Sequence, residues 1–91
     1  MYEIILKHTA DKELKKIEKG DKIGALKIRT FLQELEKIEN PFVIKSVTKL
    51  EAFKNYWHWR VGNYRVIGIK QDEILIIEII EISTRENTYK K

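Results

Sequence analysis

Arg60 and Arg65 have the most chemistry to offer, because a tight turn between them would set them face to face. The runs Tyr56-Trp57-His58-Trp59-Arg60-Val61 and Tyr64-Arg65-Val66-Ile67 flank Gly62-Asn63. That dipeptide can supply the positive φ angles of a two-residue hairpin loop. With those two residues as the loop, Val61 pairs with Tyr64, Arg60 with Arg65, Trp59 with Val66 and His58 with Ile67. Period-two alternation then puts Tyr56, His58, Arg60 and Arg65 on one face and Trp57, Trp59, Tyr64 and Val66 on the other. Like charges directly opposed on a sheet repel by roughly a few tenths of a kcal/mol or more. The pair therefore calls for an anion, or for a carboxylate of the protein's own. Glu78 is the internal candidate, since a two-residue turn at Gln71-Asp72 would place it opposite Arg65. His58 adds to that face a side chain that titrates close to neutral pH. Taken alone, a partly exposed histidine is more often structural, and its position beside Arg60 on the open face sets the two readings level.

The charge of the whole chain concentrates around this hairpin. Residues 1–41 carry nine Lys/Arg and eight Asp/Glu, residues 42–70 six and one, and residues 71–91 three and five. The middle segment thus carries a net +5 against +1 and −2 for its flanks, which points to a phosphate-rich or acidic partner. Lys45, Lys49 and Lys54 are expected near the hairpin, and Tyr56 is placed to stack on a base. The bland reading of the lysines is a solvated surface. No cysteine is present, and His8 and His58 are the only histidines, so a zinc site would need carboxylates for its remaining ligands. Neither a metal nor a cofactor is expected.

The elements that must hold these residues follow from periodicity. Tyr2 to Lys7 reads as a first strand. Thr9 is a plausible N-cap for a helix running to about Lys19, with Asp11 in its first turn and Gly20 at its end. Asp21 can cap a second helix through Lys37 or Ile38, stopped by Asn40-Pro41. Its buried stripe is expected to be Ile23, Leu26, Phe31, Leu35 and Ile38, widened by Ile28 and Leu32. An irregular or partly extended connection from Phe42 to Lys54 leads to strands at Tyr56–Val61, Tyr64–Lys70 and Glu73–Ile82. The expected architecture is a single α+β domain over 1–91. Two N-terminal helices pack on one face of a mainly antiparallel four-stranded sheet (β-α-α-β-β-β), and the other face stays at least partly open. The first residues lack the apolar run of a signal peptide, and Glu78 and Glu81 interrupt the stretch from Ile74 to Ile82. The expected location is the cytoplasm, with no membrane contact.

The order of elements, with the run Tyr56-Trp57-His58-Trp59-Arg60-Val61-Gly62-Asn63-Tyr64-Arg65-Val66-Ile67, resembles the RelE/ParE superfamily of toxin–antitoxin toxins. The ending Thr84-Arg85-Glu86-Asn87-Thr88-Tyr89 is similar to the superfamily's His–Arg–x–x–x–Tyr close, with threonine in the histidine position. The resemblance implies a toxin held inactive by a cognate antitoxin, in some cases as a heterotetramer. RelE-type members cut mRNA in the ribosomal A site, whereas ParE-type members poison DNA gyrase without chemistry of their own. A remnant that keeps only antitoxin binding is the third possibility. Carried over by position, Arg65 matches the hairpin arginine of the RelE active site, and Arg85 and Tyr89 match its C-terminal arginine and tyrosine. Tyr56 and His58 stand where the best-known ribonucleases have lysines.

Metal-free scission of RNA needs a base for the 2′-hydroxyl, an acid for the leaving 5′-oxygen, and cationic donors for charge gathering on the phosphate. His58 and Tyr89 are the candidates for proton transfer. Arg65 and Arg85, with Arg60, have the planar two-pronged donors that fit phosphate oxygens. Lys45, Lys49 and Lys54 would hold flanking phosphates.

Overall fold

The computed structural model describes residues 2–44, 46–49 and 55–84. Strand β1 (Glu3–Leu6) leads into helices α1 (His8–Gly20) and α2 (Lys22–Leu35). Strands β2 (Val47–Lys49), β3 (Tyr56–Val61) and β4 (Tyr64–Gln71) follow, then a 3-10 turn (Asp72–Ile74) and β5 (Ile76–Thr84). The sheet order is β1-β5-β4-β3-β2, with β1 parallel to β5 and every other pairing antiparallel. The sheet has five strands and not the expected four. Val47–Lys49, read from sequence as part of an irregular or partly extended connection, pairs with Trp57–Trp59 at the edge. Three residues are too few to leave an alternation that a sequence reader can detect.

Both helices lie on one face of the sheet. Ala10 and Leu14 of α1 and Ala25, Ile28, Leu32 and Leu35 of α2 close on Trp59, Val66, Ile77, Ile79 and Ile82. The start of α1 differs from expectation by two residues: Lys7 stands at the N-cap without a side-chain bond, and Thr9 lies inside the helix. The cause is the strand before it. Lys7 N donates to Ile79 O at 2.9 Å, so strand pairing persists up to the residue whose carbonyl accepts from Asp11 N.

Helix α2 is capped as expected by Asp21, whose Oδ1 accepts from Gly24 N at 2.9 Å. Its buried stripe is rotated from the expected one. Gly24, Ala25, Ile28, Leu32 and Leu35 face inward, while Ile23 and Leu26 stand 71 % and 64 % exposed. Small residues let the first turn approach the hairpin closely, and that approach sets the phase of the helix. After Leu35 the chain tightens into i→i−3 bonds, Lys37 N to Glu34 O and Ile38 N to Leu35 O, and the helix ends two to three residues early. The carboxylate of Glu36 then accepts from Ile4 N at 2.9 Å and covers part of the exposed edge of β1.

The β3–β4 hairpin has the register read from its sequence, residue for residue from Tyr56↔Ile69 to Val61↔Tyr64. Gly62 takes φ +59 and Asn63 does not enter that region, the φ signs of a type II′ turn. The β4–β5 connection is not the expected two-residue turn. It is the 3-10 turn closed by Leu75 at φ +53, whose carbonyl is held by Glu3 N at 2.9 Å. Further along, a bulge shifts the β4–β5 register between Ile67 and Gly68. Ile77 and Ile79 face the helices on one side of it and Ile82 on the other, so an odd step separates inward residues that would otherwise fall two apart. Glu13 of α1 accepts from Ile82 N at 2.8 Å beside this irregularity.

Candidate functional site

The face of the sheet away from the helices is built by alternation from three strands. β3 contributes Tyr56, His58 and Arg60, β4 contributes Arg65, Ile67 and Ile69, and β5 contributes Glu78, Glu81 and Ser83. Arg60 and Arg65 are direct cross-strand partners. They differ sharply in environment, since Arg60 is exposed and Arg65 is 2 % exposed. β3 is flanked by β2 and β4, so His58 lies between Thr48 and Ile67 and is only 5 % exposed. The face is partly open, as expected, at exposed Arg60 and half-buried Tyr56, but the expectation of a partly exposed histidine is corrected, since His58 is buried together with Arg65 and Ile67.

Burial sets the chemistry of His58. Loss of solvent, then the charges of Arg65 and Arg60, hold its pKa down at about 4. The ring is neutral at physiological pH, and its Nδ1 is buried without a hydrogen-bond partner among the described residues. A buried polar atom left in that state costs on the order of 1–3 kcal/mol, so its retention requires a reason.

Glu78 does not answer the charge of Arg65 across the strands. The residue opposite Arg65 is Ser83, and Glu78 sits opposite Ile69. The longer connection displaces it, and it engages Gln71 Nε2 at 2.6 Å and Lys7 Nζ at 3.4 Å, while the bulge beyond it brings Ser83 opposite Arg65. Two residues that sequence reasoning passed over share the face instead. Glu81 lies opposite Ile67, diagonal to Arg65, and accepts from Ser83 Oγ at 3.1 Å. Only knowledge of the bulge could have placed them there.

Tyr56 lies two residues before His58 on the same face, half-buried and opposite Ile69. Lys49 belongs to the other face. It pairs with Trp57, and its Nζ stands 5.9 Å from that ring's centroid, on the aromatic side with Phe42 and Lys70. Arg85, Tyr89, Lys45 and Lys54 lie outside the described residues.

The hairpin tip is anchored to α2. Tyr64 Oη donates to Asp21 Oδ2 at 2.8 Å, while the same carboxylate caps the helix through Oδ1. A pocket of about 240 Å³ opens beside this contact, lined by Lys27, Gly62 and Asn63 among others. The hydrogen bonds from Gly24 and Tyr64 hold the Asp21 carboxyl below its ordinary range, and the bond to Asp21 raises the Tyr64 phenol.

Among the described residues no three His, Asp or Glu side chains gather as a metal site. No described helix is long and apolar enough to cross a membrane.

Residues 4–89 match the profile of the ParE toxin of type II toxin–antitoxin systems, parDE. No curated protein matches the chain. Among solved structures, the archaeal RelE–RelB complex from Pyrococcus horikoshii OT3 is similar at 24 % identity and TM-score 0.74, covering 92 % of this chain and 94 % of that one. A doubly arginine-to-alanine substituted E. coli toxin RelE, in the free state, is similar at 20 % identity and TM-score 0.72, covering 96 % and 86 %. The heterotetrameric YoeB–YefM toxin–antitoxin complex from Staphylococcus aureus is similar at 20 % identity and TM-score 0.69, covering 93 % and 98 %. These likenesses establish a shared fold.

Proposed function

Because the chain belongs to the ParE toxin family, within the RelE/ParE superfamily of toxin–antitoxin toxins, we propose that it is a RelE-like endoribonuclease that cuts mRNA on the ribosome. One observation carries the reading: Arg60 and Arg65 are directly opposed beside a neutral, buried histidine with an unpartnered ring nitrogen. This arrangement supports a site for a single phosphodiester better than it supports a stabilising surface.

In this reading the 2′-hydroxyl gives its proton to the neutral imidazole of His58, the 2′-oxygen attacks phosphorus, and the bond to the 5′-oxygen breaks. Tyr89 supplies the proton to that oxygen, which leaves a 2′,3′-cyclic phosphate. A pKa of about 4 leaves too little imidazolium at neutral pH for His58 to act as the acid, so its role is acceptance. Arg65 and Arg85 brace the non-bridging oxygens, Arg60 meets the neighbouring phosphate, and Tyr56 stacks on a base. Lys45 and Lys54 add sequence-independent affinity. The cognate antitoxin is a small protein that holds this surface inactive, and the heterotetramer of the similar S. aureus pair is the expected form of the complex.

A second reading, gyrase inhibition, is favoured by the match to the ParE profile itself. Induced expression with parallel measurement of protein synthesis and DNA supercoiling separates the two. The nuclease predicts rapid arrest of translation with mRNA breaks at the A site; gyrase-linked DNA breaks with ongoing translation refute it. Arg65→Ala is expected to lower the cleavage rate about 10²–10³-fold, the usual loss for one donor to transition-state charge, while antitoxin binding persists.

A further inference from the structure

We propose that Tyr64 is a positioning residue of the hairpin site, held by Asp21 so that α2 fixes where Arg60 and Arg65 stand. Tyr64 and Arg65 are consecutive on β4 and point to opposite faces, so a restraint on one phenol is a restraint on the backbone that aims the guanidinium. The cross-strand partners Arg60 and Arg65 repel, and their pair lies next to Val61–Tyr64, the last before the turn. Splaying at that end is resisted by the pairings with the neighbouring strands, by the turn and by the side-chain contacts of its flanking residues. Tyr64 makes the polar one, at 2.8 Å to a carboxylate that is itself immobilised by capping α2.

Gly24 is shaped to this contact. A Cβ there would stand 2.3 Å from Asp21 Oδ2 and 2.8 Å from Tyr64 Cε2, so the clamp exists only because position 24 has no side chain. Glycine costs an α-helix about 1 kcal/mol relative to alanine. Its presence in the first turn of α2 is explained by the space the clamp needs.

The deduction rests on the hairpin being the functional site, but its test does not depend on RNA cleavage. His58 reports the position of both arginines, because their charges help hold its pKa down. His8 and His58 are the only histidines, so the imidazole signals can be assigned by NMR with His58→Gln as reference. Tyr64→Phe removes the bond and keeps the ring; Asp21→Ser keeps a helix cap and cannot reach the phenol. In both variants the His58 pKa is expected to rise by about one unit, about a tenfold larger imidazolium fraction at a pH near 5.5. Leu32→Ala, a cavity in the core remote from the clamp, is expected to lower stability and leave the His58 pKa at its wild-type value. An unchanged His58 pKa in both clamp variants, or an equal rise in Leu32→Ala, overturns the proposal. Where the wild type cleaves mRNA on ribosomes, Tyr64→Phe should lower kcat about tenfold with antitoxin affinity intact, and an unchanged kcat also overturns it. If the wild type does not cleave, the nuclease reading fails and the titration alone decides the clamp.

Discussion

Between pH 6.5 and about 4 the unfolded chain takes up a proton at His58 that the folded chain refuses. Stability rises with pH wherever the unfolded state binds more protons, so this residue makes the fold weaken as the solution is acidified through that window. Above the upper limit both states carry a neutral ring and the effect vanishes; below the lower limit both carry a charge. The accumulated loss is on the order of 3 kcal/mol if the pKa difference is complete. Denaturant titrations at stepped pH should show a slope in the wild type that flattens in His58→Gln and shrinks in Arg60→Gln. An identical slope in all three would show that His58 is not the responsible group. The face on which His58 and the arginine pair lie was legible from alternation, because a two-residue turn permits one register. The burial of His58 and Arg65 was not, since alternation names a face without saying what covers it. That burial turns His58 from a group titrating near neutrality into one that stays uncharged.

At the scale of elements, β5 was the least legible part of the chain. Its run from Ile74 to Ile82 is apolar at all but two positions, so the odd spacing of Glu78 and Glu81 is the single trace that hydrophobic periodicity keeps of the extra residue. The expected pairing of Arg65 with Glu78 failed before that irregularity, at the connection, where Gln71 pairs with Ile76 and Glu78 therefore falls opposite Ile69. What holds the irregularity is a side chain from another element, Glu13 of α1, which satisfies Ile82 N. Glu13→Ala should cost about 1.5–3 kcal/mol, near the lower figure because the contact is part-buried, and Glu13→Gln should recover much of it. Urea midpoints would check this, and a neutral Glu13→Ala would mean that water replaces the carboxylate without penalty. The phase of α2 escaped for a different reason. Counting large apolar residues favours Ile23 and Leu26, whereas close approach selects Gly24 and Ala25, which a hydrophobicity pattern scores weakly. The cap at Asp21 was legible because acidic caps follow from the chemistry of unsatisfied amides.

Across the whole molecule, strand order separates the charges. β2, β3 and β4 form one side of the sheet and carry Lys49, Arg60, Arg65 and Lys70, while β5 brings Glu78 and Glu81 towards β1. Under the proposed nuclease function, binding to ribosomes or RNA should weaken steeply with salt, as counterion release requires. Arg60→Gln should reduce the slope of log affinity against log salt by about one, and Lys49→Gln, whose ammonium lies on the aromatic side, should change it little. Equal effects of the two would show that the polyanion does not distinguish the faces. The concentration of positive charge was visible from residue counts, but its division between two faces emerged only with the register of β2. The placement of the tryptophans has its own consequence. Both belong to β3: Trp59 is sealed in the core with its indole donating to Pro41 O at 3.0 Å, and Trp57 is half-covered beneath Lys49 and Lys70. The tryptophan fluorescence of the chain therefore originates entirely within the hairpin, one emitter shielded from quenchers and the other beneath cations that attract iodide over caesium. The strand of His58 and Arg60 carries its own optical reporter, and opening of that strand can be followed without attaching a dye.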